Sequence, residues 1–154
     1  MNKFFIVLLS IVAATVSGQA LAGITTIQAL SFGNYVVANN NSVQTVTVSL
    51  SGNVTASSGL LEITPTAQQG IYDIDGLTPN AVIASVDVTA LGPMRGVNIS
   101  NEFTLGSFTT NHTNADPSGV ARVTIGGTAS TTGNGLGYPD QTYTATVEVQ
   151  INYL

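Results

Sequence analysis

The last dozen residues of the chain, Thr142–Tyr153, alternate strictly between apolar and polar side chains. Successive side chains of a strand point to opposite faces, so this pattern predicts one long strand with a buried face and a wet face. Such a strand spans roughly 40 Å at ~3.3 Å per residue, which is enough to run the length of a small sandwich. The residues on its apolar face are Tyr143, Ala145, Val147, Val149, Ile151 and Tyr153.

Shorter segments of strand character fill the chain before it. They cover residues 23–32, 35–37, 43–50, 60–64, 71–74, 81–90, 97–100, 102–109 and 121–125. Turn sequences such as Asp75-Gly76 and Asp116-Pro117-Ser118-Gly119 separate them. Roughly eight to ten strands without an amphipathic helix predict an all-β fold, a single antiparallel β-sandwich or barrel.

Two segments carry more detailed expectations. In 81–90 the alternation predicts a shared face for Val82, Ala84, Val86, Val88 and Ala90. Residues 128–140 are rich in Thr, Gly and Asn and predict a long turn before the final strand. Within that turn, the glycine-rich residues 133–137 lack the features of a phosphate-binding loop, so we expect a flexible loop.

The first 22 residues predict a secretory signal peptide. A positive start at Lys3 is followed by the uncharged apolar run 4–16 and then by Ala20-Leu21-Ala22, a small-x-small cleavage pattern. The run is shorter than the ~20 residues that a membrane-spanning helix needs. We therefore expect cleavage after Ala22 and a mature domain of residues 23–154 with no integral membrane segment. Its expected location is the periplasm, the cell surface or an extracellular fibre.

Charge and cysteine content exclude several functions. The chain contains eight acidic residues, three basic residues and no cysteine. After residue 22 the only cations are Arg95 and Arg122, which leaves a net charge of about −6 and makes nucleic acid an unsuitable partner. Without cysteine, disulfides, thiol catalysis and cysteine-ligated metals are excluded.

Candidate catalytic residues are few. His112 is the only histidine, and Ser118 and Asp116 lie near it in the chain. No Gly-x-Ser-x-Gly nucleophile elbow accompanies them. We therefore expect His112 to be an exposed loop residue, and we expect neither enzymatic activity nor a cofactor.

Two further motifs leave an alternative open. Asp73-Ile74-Asp75-Gly76 resembles the start of a calcium loop but lacks the later ligands, so a turn after a strand is the simpler interpretation. The alternative is a weak calcium site assisted by Asp87, Glu102 or Asp116.

Four tyrosines could form a carbohydrate-binding face, although two of them lie on the apolar parity of the final strand and favour core packing. These tyrosines are Tyr72, Tyr138, Tyr143 and Tyr153.

Three motifs occur in order along the chain: Leu30-Ser31-Phe32-Gly33-Asn34-Tyr35, then Arg122-Val123-Thr124-Ile125-Gly126-Gly127-Thr128, and finally the closing strand that follows Gln141. They resemble the "LxFG", "GGTL" and "GxYxGxxxVTVxY" segments of the DUF4402 family of exported bacterial proteins. The resemblance runs from about Ala29 to Tyr153. The chain departs at Gln141, where the family often has Gly, and at Ala129, where it often has Leu.

The opening and closing motifs are also similar to spore-coat-U-like domains and to fimbrial pilin domains of chaperone–usher systems. That resemblance implies an immunoglobulin-like sandwich to which a periplasmic chaperone, and later a neighbouring subunit, adds a strand beside the last one. Ile24 and Ile27 would then lie in a short donor segment. Unlike the usual pilin, this chain has no cysteine pair, and only Gly23–Ala29 of the expected mature chain precede Leu30.

Two functions follow as expectations. The first is a non-enzymatic pilus-like or surface-coat subunit that assembles with itself or with other pilus-type subunits by strand pairing. Its core and assembly residues would be Tyr143, Val147, Val149, Ile151 and Tyr153. The alternative is a monomeric secreted adhesin or carbohydrate-binding sandwich that uses Tyr72, Tyr138 and loop Asn and Asp residues.

Overall fold

The computed structural model describes residues 5–16, 22–97 and 101–154. These residues form eleven strands and no helix, so none of them forms a helix able to cross a membrane. The strands are β1 (Phe5–Val16), β2 (Gly23–Gln28), β3 (Asn34–Val37), β4 (Thr45–Val48), β5 (Val54–Ala56), β6 (Leu60–Thr64), β7 (Gly70–Asp75), β8 (Ile83–Ala90), β9 (Thr104–His112), β10 (Ala121–Ser130) and β11 (Thr142–Tyr153). The predicted all-β sandwich is confirmed, and ten of these strands follow residue 22.

The strands form three sheets. One has the order β1-β11-β8, and a second has the order β2-β7-β10-β4-β5 with β9 on the other edge of β10. The third is the pair β3-β6. Every pairing is antiparallel except that of β1 with β11, which is parallel.

A single apolar core lies between the sheets. β10 contributes Ala121, Val123 and Ile125, and β11 contributes its apolar parity, because alternate residues of each strand face inward. At one end, the rings of Phe103, Tyr138 and Tyr143 pack together, with the Phe103 centroid 4.4 Å from that of Tyr138 and 5.0 Å from that of Tyr143. Aromatic rings in these tilted and edge-on arrangements add to the stabilisation from their burial.

β10 continues through Gly126-Gly127 to Ser130, although the sequence predicted a strand only over 121–125 and a turn from residue 128. The strand pairs with β7 over 121–125 and with β4 over 127–130, so it changes neighbours at these glycines. A Cβ atom on Gly126 would lie 2.5 Å from the Val48 carbonyl oxygen. The glycines therefore permit close approach of backbones inside a strand and do not end it.

We expect Gly126→Ala to destabilise the fold by about 1–3 kcal/mol, because the added methyl group meets backbone that cannot move aside. Gly106→Ala is the matched control, since nothing lies within 4 Å of a Cβ placed there. Denaturant unfolding of the two variants checks the difference. Equal midpoints would contradict the close approach at Gly126.

The predicted face of β8 is wrong at its beginning. Val82 is 47% exposed and Ala84 is also exposed, whereas Ile83 is buried. The cause is a register shift: Ser85 pairs with Asn152 and Ile83 with Tyr153, so Ala84 is an extra residue on this strand. Such a bulge reverses the inward parity on one side of it.

The prediction also missed or misplaced short elements. Val54–Ala56 forms a strand that small polar neighbours concealed. Val97 is 95% exposed and belongs to no strand, and the rest of the strand predicted at 97–100 lies outside the described residues. In contrast, Phe103 and Leu105 share a buried face as predicted.

Side chains of β9 and of the residues after it contact the backbone of β8. Thr110 Oγ1 donates to the Val86 carbonyl (2.9 Å), and His112 Nε2 lies 3.3 Å from the Ile83 carbonyl oxygen. Asn114 Oδ1 accepts from the Ile83 amide (3.2 Å). One flank of the sandwich is therefore closed by three alternate residues of a single segment.

Candidate functional site: the outer edge of the final strand

One edge of β11 is closed within the domain. β8 pairs with it from Val147 to Tyr153, and the chain after β8 extends this contact. Arg95 and Thr144 exchange two backbone hydrogen bonds, each of 2.8 Å. Backbone groups on this side of β11 are thus satisfied by residues of the same domain.

The opposite edge of β11, residues 142–151, is hereafter called the outer edge. β1 pairs with it in parallel from Phe5↔Thr142 to Val16↔Ile151, and β1 also approaches β2 and β3. Among the described residues after β1, none pairs with the outer edge. β1 is therefore the only described strand that pairs with the outer edge.

The register of β1 follows the two faces of β11 at most positions, although Phe5 and Ala13 pair with Thr142 and Glu148 on the polar parity. Its two polar residues, Ser10 and Thr15, pair with Thr146 and Gln150 on the polar parity. Ser10 and Thr15 are five positions apart, whereas their partners Thr146 and Gln150 are four positions apart. β1 therefore has one extra residue in this interval, and a register shift does occur between Ile11 and Ala13. The residues in register with the buried parity are all apolar: Ile6, Leu9, Ile11, Ala14 and Val16.

The inward face beside this edge is dry. Tyr143, Val147 and Ile151 are completely inaccessible, and Val149 is 1% exposed. Tyr153 is partly buried, and burial raises the pKa of its phenol. The assembly role expected of these residues stays a prediction, but their inward orientation places the core directly beside the outer edge.

Two buried polar atoms lack a hydrogen-bond partner among the residues described. They are Asn34 Oδ1 on β3 and the Tyr153 hydroxyl on β11, and these are strands that β1 approaches. Buried polar atoms are normally satisfied, so such atoms require an explanation.

A cleft of about 870 Å³ opens over the first half of β11. The exposed parity of the strand, Thr142, Thr144 and Thr146, lines it together with the segment after β8. That segment adds two exposed apolar side chains, Leu91 and Val97. The exposed face at the start of β11 therefore also borders apolar side chains.

Residues 133–137 form a loop before β11 as predicted, and hydrogen bonds from Asn40 connect this loop to the residues after β3. Asn40 is buried, and its Nδ2 donates to Asn134 Oδ1 (3.0 Å) and to the Leu136 carbonyl (2.8 Å). Its Oδ1 accepts from the Gly133 amide (3.0 Å). Sequence reasoning missed Asn40 because it is one of three consecutive Asn in a predicted loop, where composition suggests exposure.

The candidate donor segment lies in β2. This strand pairs with β7 in the same chain. Ile24 packs against the core, whereas Ile27 is 52% exposed. The donor role of Ile24 and Ile27 stays a prediction, and it would require β2 to leave β7.

The prediction that Tyr72 and Tyr138 form a carbohydrate-binding face is wrong, because both side chains are buried. The Tyr72 hydroxyl accepts from the Leu30 amide (3.0 Å), and the Tyr138 hydroxyl donates to the Glu102 carbonyl (2.8 Å). Burial raises the pKa of Tyr72. These phenols tie the core to neighbouring backbone and offer no stacking surface.

The residues of the candidate calcium motif have other partners. Arg122 donates to both carboxylate oxygens of Asp73, at 2.7 and 2.8 Å, and this hydrogen bonding holds the pKa of Asp73 below its ordinary value. Asp75 accepts from the Gly23 amide. In the part of the chain that the structure describes, no three acidic or histidine side chains cluster as metal ligands.

His112 lies at the end of β9, and the prediction of an exposed loop position is wrong. Asp116 Oδ1 accepts from the amides of Ser118 (2.8 Å) and Val120 (2.9 Å), which stabilises its own turn. In the described structure His112 makes no hydrogen bond to Ser118 or Asp116, and Ser118 contacts Asp116 only through its backbone amide.

Searches of curated proteins and of solved structures returned no match. The family model described as a domain of unknown function, DUF4402, matches residues 23–153. The match includes β2 to β11, and hence the outer edge, but not β1. The chain belongs to the DUF4402 family.

Proposed function

We propose that this protein is an exported, non-enzymatic structural subunit that receives an extended segment of another polypeptide along the outer edge of β11. The partner is a periplasmic chaperone, another pilus-type subunit or a second copy of the chain. One observation carries the proposal: residues 5–16 fill the outer edge in the full chain, and nothing in described residues 22–154 replaces them.

Export supplies the step that opens the edge. Residues 1–22 have the pattern of a cleaved signal peptide, and β1 lies entirely within them. The family match begins at Gly23, directly after the predicted cleavage point. In this proposal, the mature subunit loses the strand that pairs with β11 and needs another.

The physical reason for assembly is the state of β11 without β1. Unpaired N–H and C=O groups along a strand edge are a template for another strand. Here the edge also borders buried apolar side chains, including Val147 and Ile151, which an incoming strand would shield from water. Backbone pairing and apolar contact would therefore act together, as in other cases of strand addition.

The test mixes the mature chain, as recovered after export and freed of partners, with a synthetic peptide of residues 5–16 carrying a solubilising tail. We expect the peptide to raise the melting temperature and to slow amide exchange in β11. A peptide with Ile11→Asp should fail, because Ile11 is in register with buried Val147. Ser10→Asp is the matched control, since Ser10 pairs with Thr146 on the polar parity and this peptide should still bind.

A mature chain that is a stable monomer, protects its β11 amides alone and ignores all three peptides would overturn the proposal. That outcome would favour the monomeric adhesin or carbohydrate-binding alternative. Such a protein would need a binding surface other than Tyr72 and Tyr138, because both are buried.

A further inference from the structure

The first residue of β2 contacts a carboxylate. The Gly23 amide donates to Asp75 Oδ1 at 3.0 Å, and the two residues are register partners across β2 and β7. A side chain at position 23 would overlap the Asp75 carboxylate, whose Cγ lies 2.9 Å from an ideal Cβ. Glycine therefore lets the carboxylate reach this backbone nitrogen.

Among the described residues, no cationic side chain pairs with Asp75. Arg122 pairs with Asp73, two residues earlier on β7, and Arg95 pairs with Glu102. These are the only two arginines of the chain, and its single lysine is Lys3. Within the residues that the structure describes, Asp75 is thus a carboxylate bound to a backbone nitrogen and paired with no side-chain cation.

We propose that Gly23 is the mature N-terminus and that its α-ammonium forms an ion pair with Asp75, which fastens β2 to β7. The inference rests on the export proposed above. A processing protease hydrolyses the Ala22–Gly23 peptide bond: the hydroxyl of water goes to the Ala22 carbonyl carbon and a proton to the Gly23 nitrogen. An α-amino group has an ordinary pKa of about 7.7–8.0, so at neutral pH it takes up a second proton and becomes an ammonium.

Cleavage therefore strengthens the existing hydrogen bond between the Gly23 nitrogen and Asp75. An amide with one hydrogen becomes a cation with three, and charge-assisted hydrogen bonds are stronger than neutral ones. The neighbouring Asp73 is already engaged by Arg122, so Asp75 is the carboxylate that receives the new charge. A fastened β2 stays in its own sheet, which argues that a partner strand for another subunit comes from elsewhere.

The absence of lysine after residue 22 makes the test selective, because the α-amine is the only amine of the mature chain. Mass spectrometry of the exported protein should first identify Gly23 as its first residue. Mild acetylation then removes the ammonium charge. We expect acetylation to lower the folding equilibrium constant by about two- to fivefold, the effect of an exposed ion pair.

Asp75→Asn should abolish that loss and should make the amine react about two- to fivefold faster, since the free amine is no longer held. Asp87→Asn is the control, because this exposed acid lies on β8, and it should behave as the unmodified sequence does. A different first residue would overturn the assignment of Gly23. Equal effects of acetylation with and without Asp75 would overturn the ion pair. As long as the exported chain lacks residues 5–16, neither result bears on strand addition, which the peptide experiment tests separately.

Discussion

Val149→Asp is expected to prevent folding of the sandwich and thereby any assembly. Val149 is 1% exposed in the middle of β11, where a carboxylate would have no cationic partner. An uncompensated buried charge costs on the order of 3–5 kcal/mol or more. A domain of this size is stable by only about 5–15 kcal/mol in total. Secreted yield and circular dichroism measure the outcome.

Thr144→Asp is the matched control for that substitution. It places the same carboxylate on the same strand, but on the exposed parity and beside Arg95. We expect this variant to fold and to be secreted normally. Normal secretion and assembly of Val149→Asp would show that the two faces of β11 are reversed.

The second large effect is expected from Asn40→Ala. The substitution removes the side chain that bonds Asn134, Leu136 and Gly133, so the loop before β11 loses three partly buried hydrogen bonds. Each such bond contributes about 0.5–1.5 kcal/mol to stability, so we expect a loss of about 2–4 kcal/mol. Denaturant unfolding gives this free energy directly.

Asn41→Ala separates this effect from a general sensitivity of the loop. Asn41 is exposed and adjacent to Asn40, and the same truncation there should change stability by less than about 0.5 kcal/mol. Loss of protection at the first amides of β11 in Asn40→Ala, but not in Asn41→Ala, is the expected exchange pattern. Equal losses in both variants would mean that the hydrogen bonds of Asn40 do not position β11.

The final strand could be predicted from the sequence, because a strand with one buried face must alternate apolar and polar residues. The strand bounds Thr142–Tyr153 and the inward positions of Tyr143 and Val147 follow from the period of two. The motif pattern also led to the DUF4402 family. These features depend on local geometry or on similarity, both of which a single chain displays.

Features that depend on distant partners were not readable. Ala84 is a bulge only because Asn152 and Tyr153 pair around it, and Gly126 lies inside a strand only because Val48 approaches it. Asn40 is buried because a loop more than ninety residues later folds over it. The pairing of the outer edge with β1 is likewise a property of topology, since alternation reveals which face is buried but not which strand lies beside it.

The pairings that β10 and β11 each make with earlier strands have a consequence for the time course of folding. β10 joins β4, β7 and β9, and β11 supplies the partner of β8, so the two strands made last connect segments made much earlier. Contacts between distant segments slow folding, because the chain must close long loops before they form. The core cannot be completed until the last dozen residues have been synthesised, because β11 supplies Tyr143, Val147, Val149 and Ile151 to it.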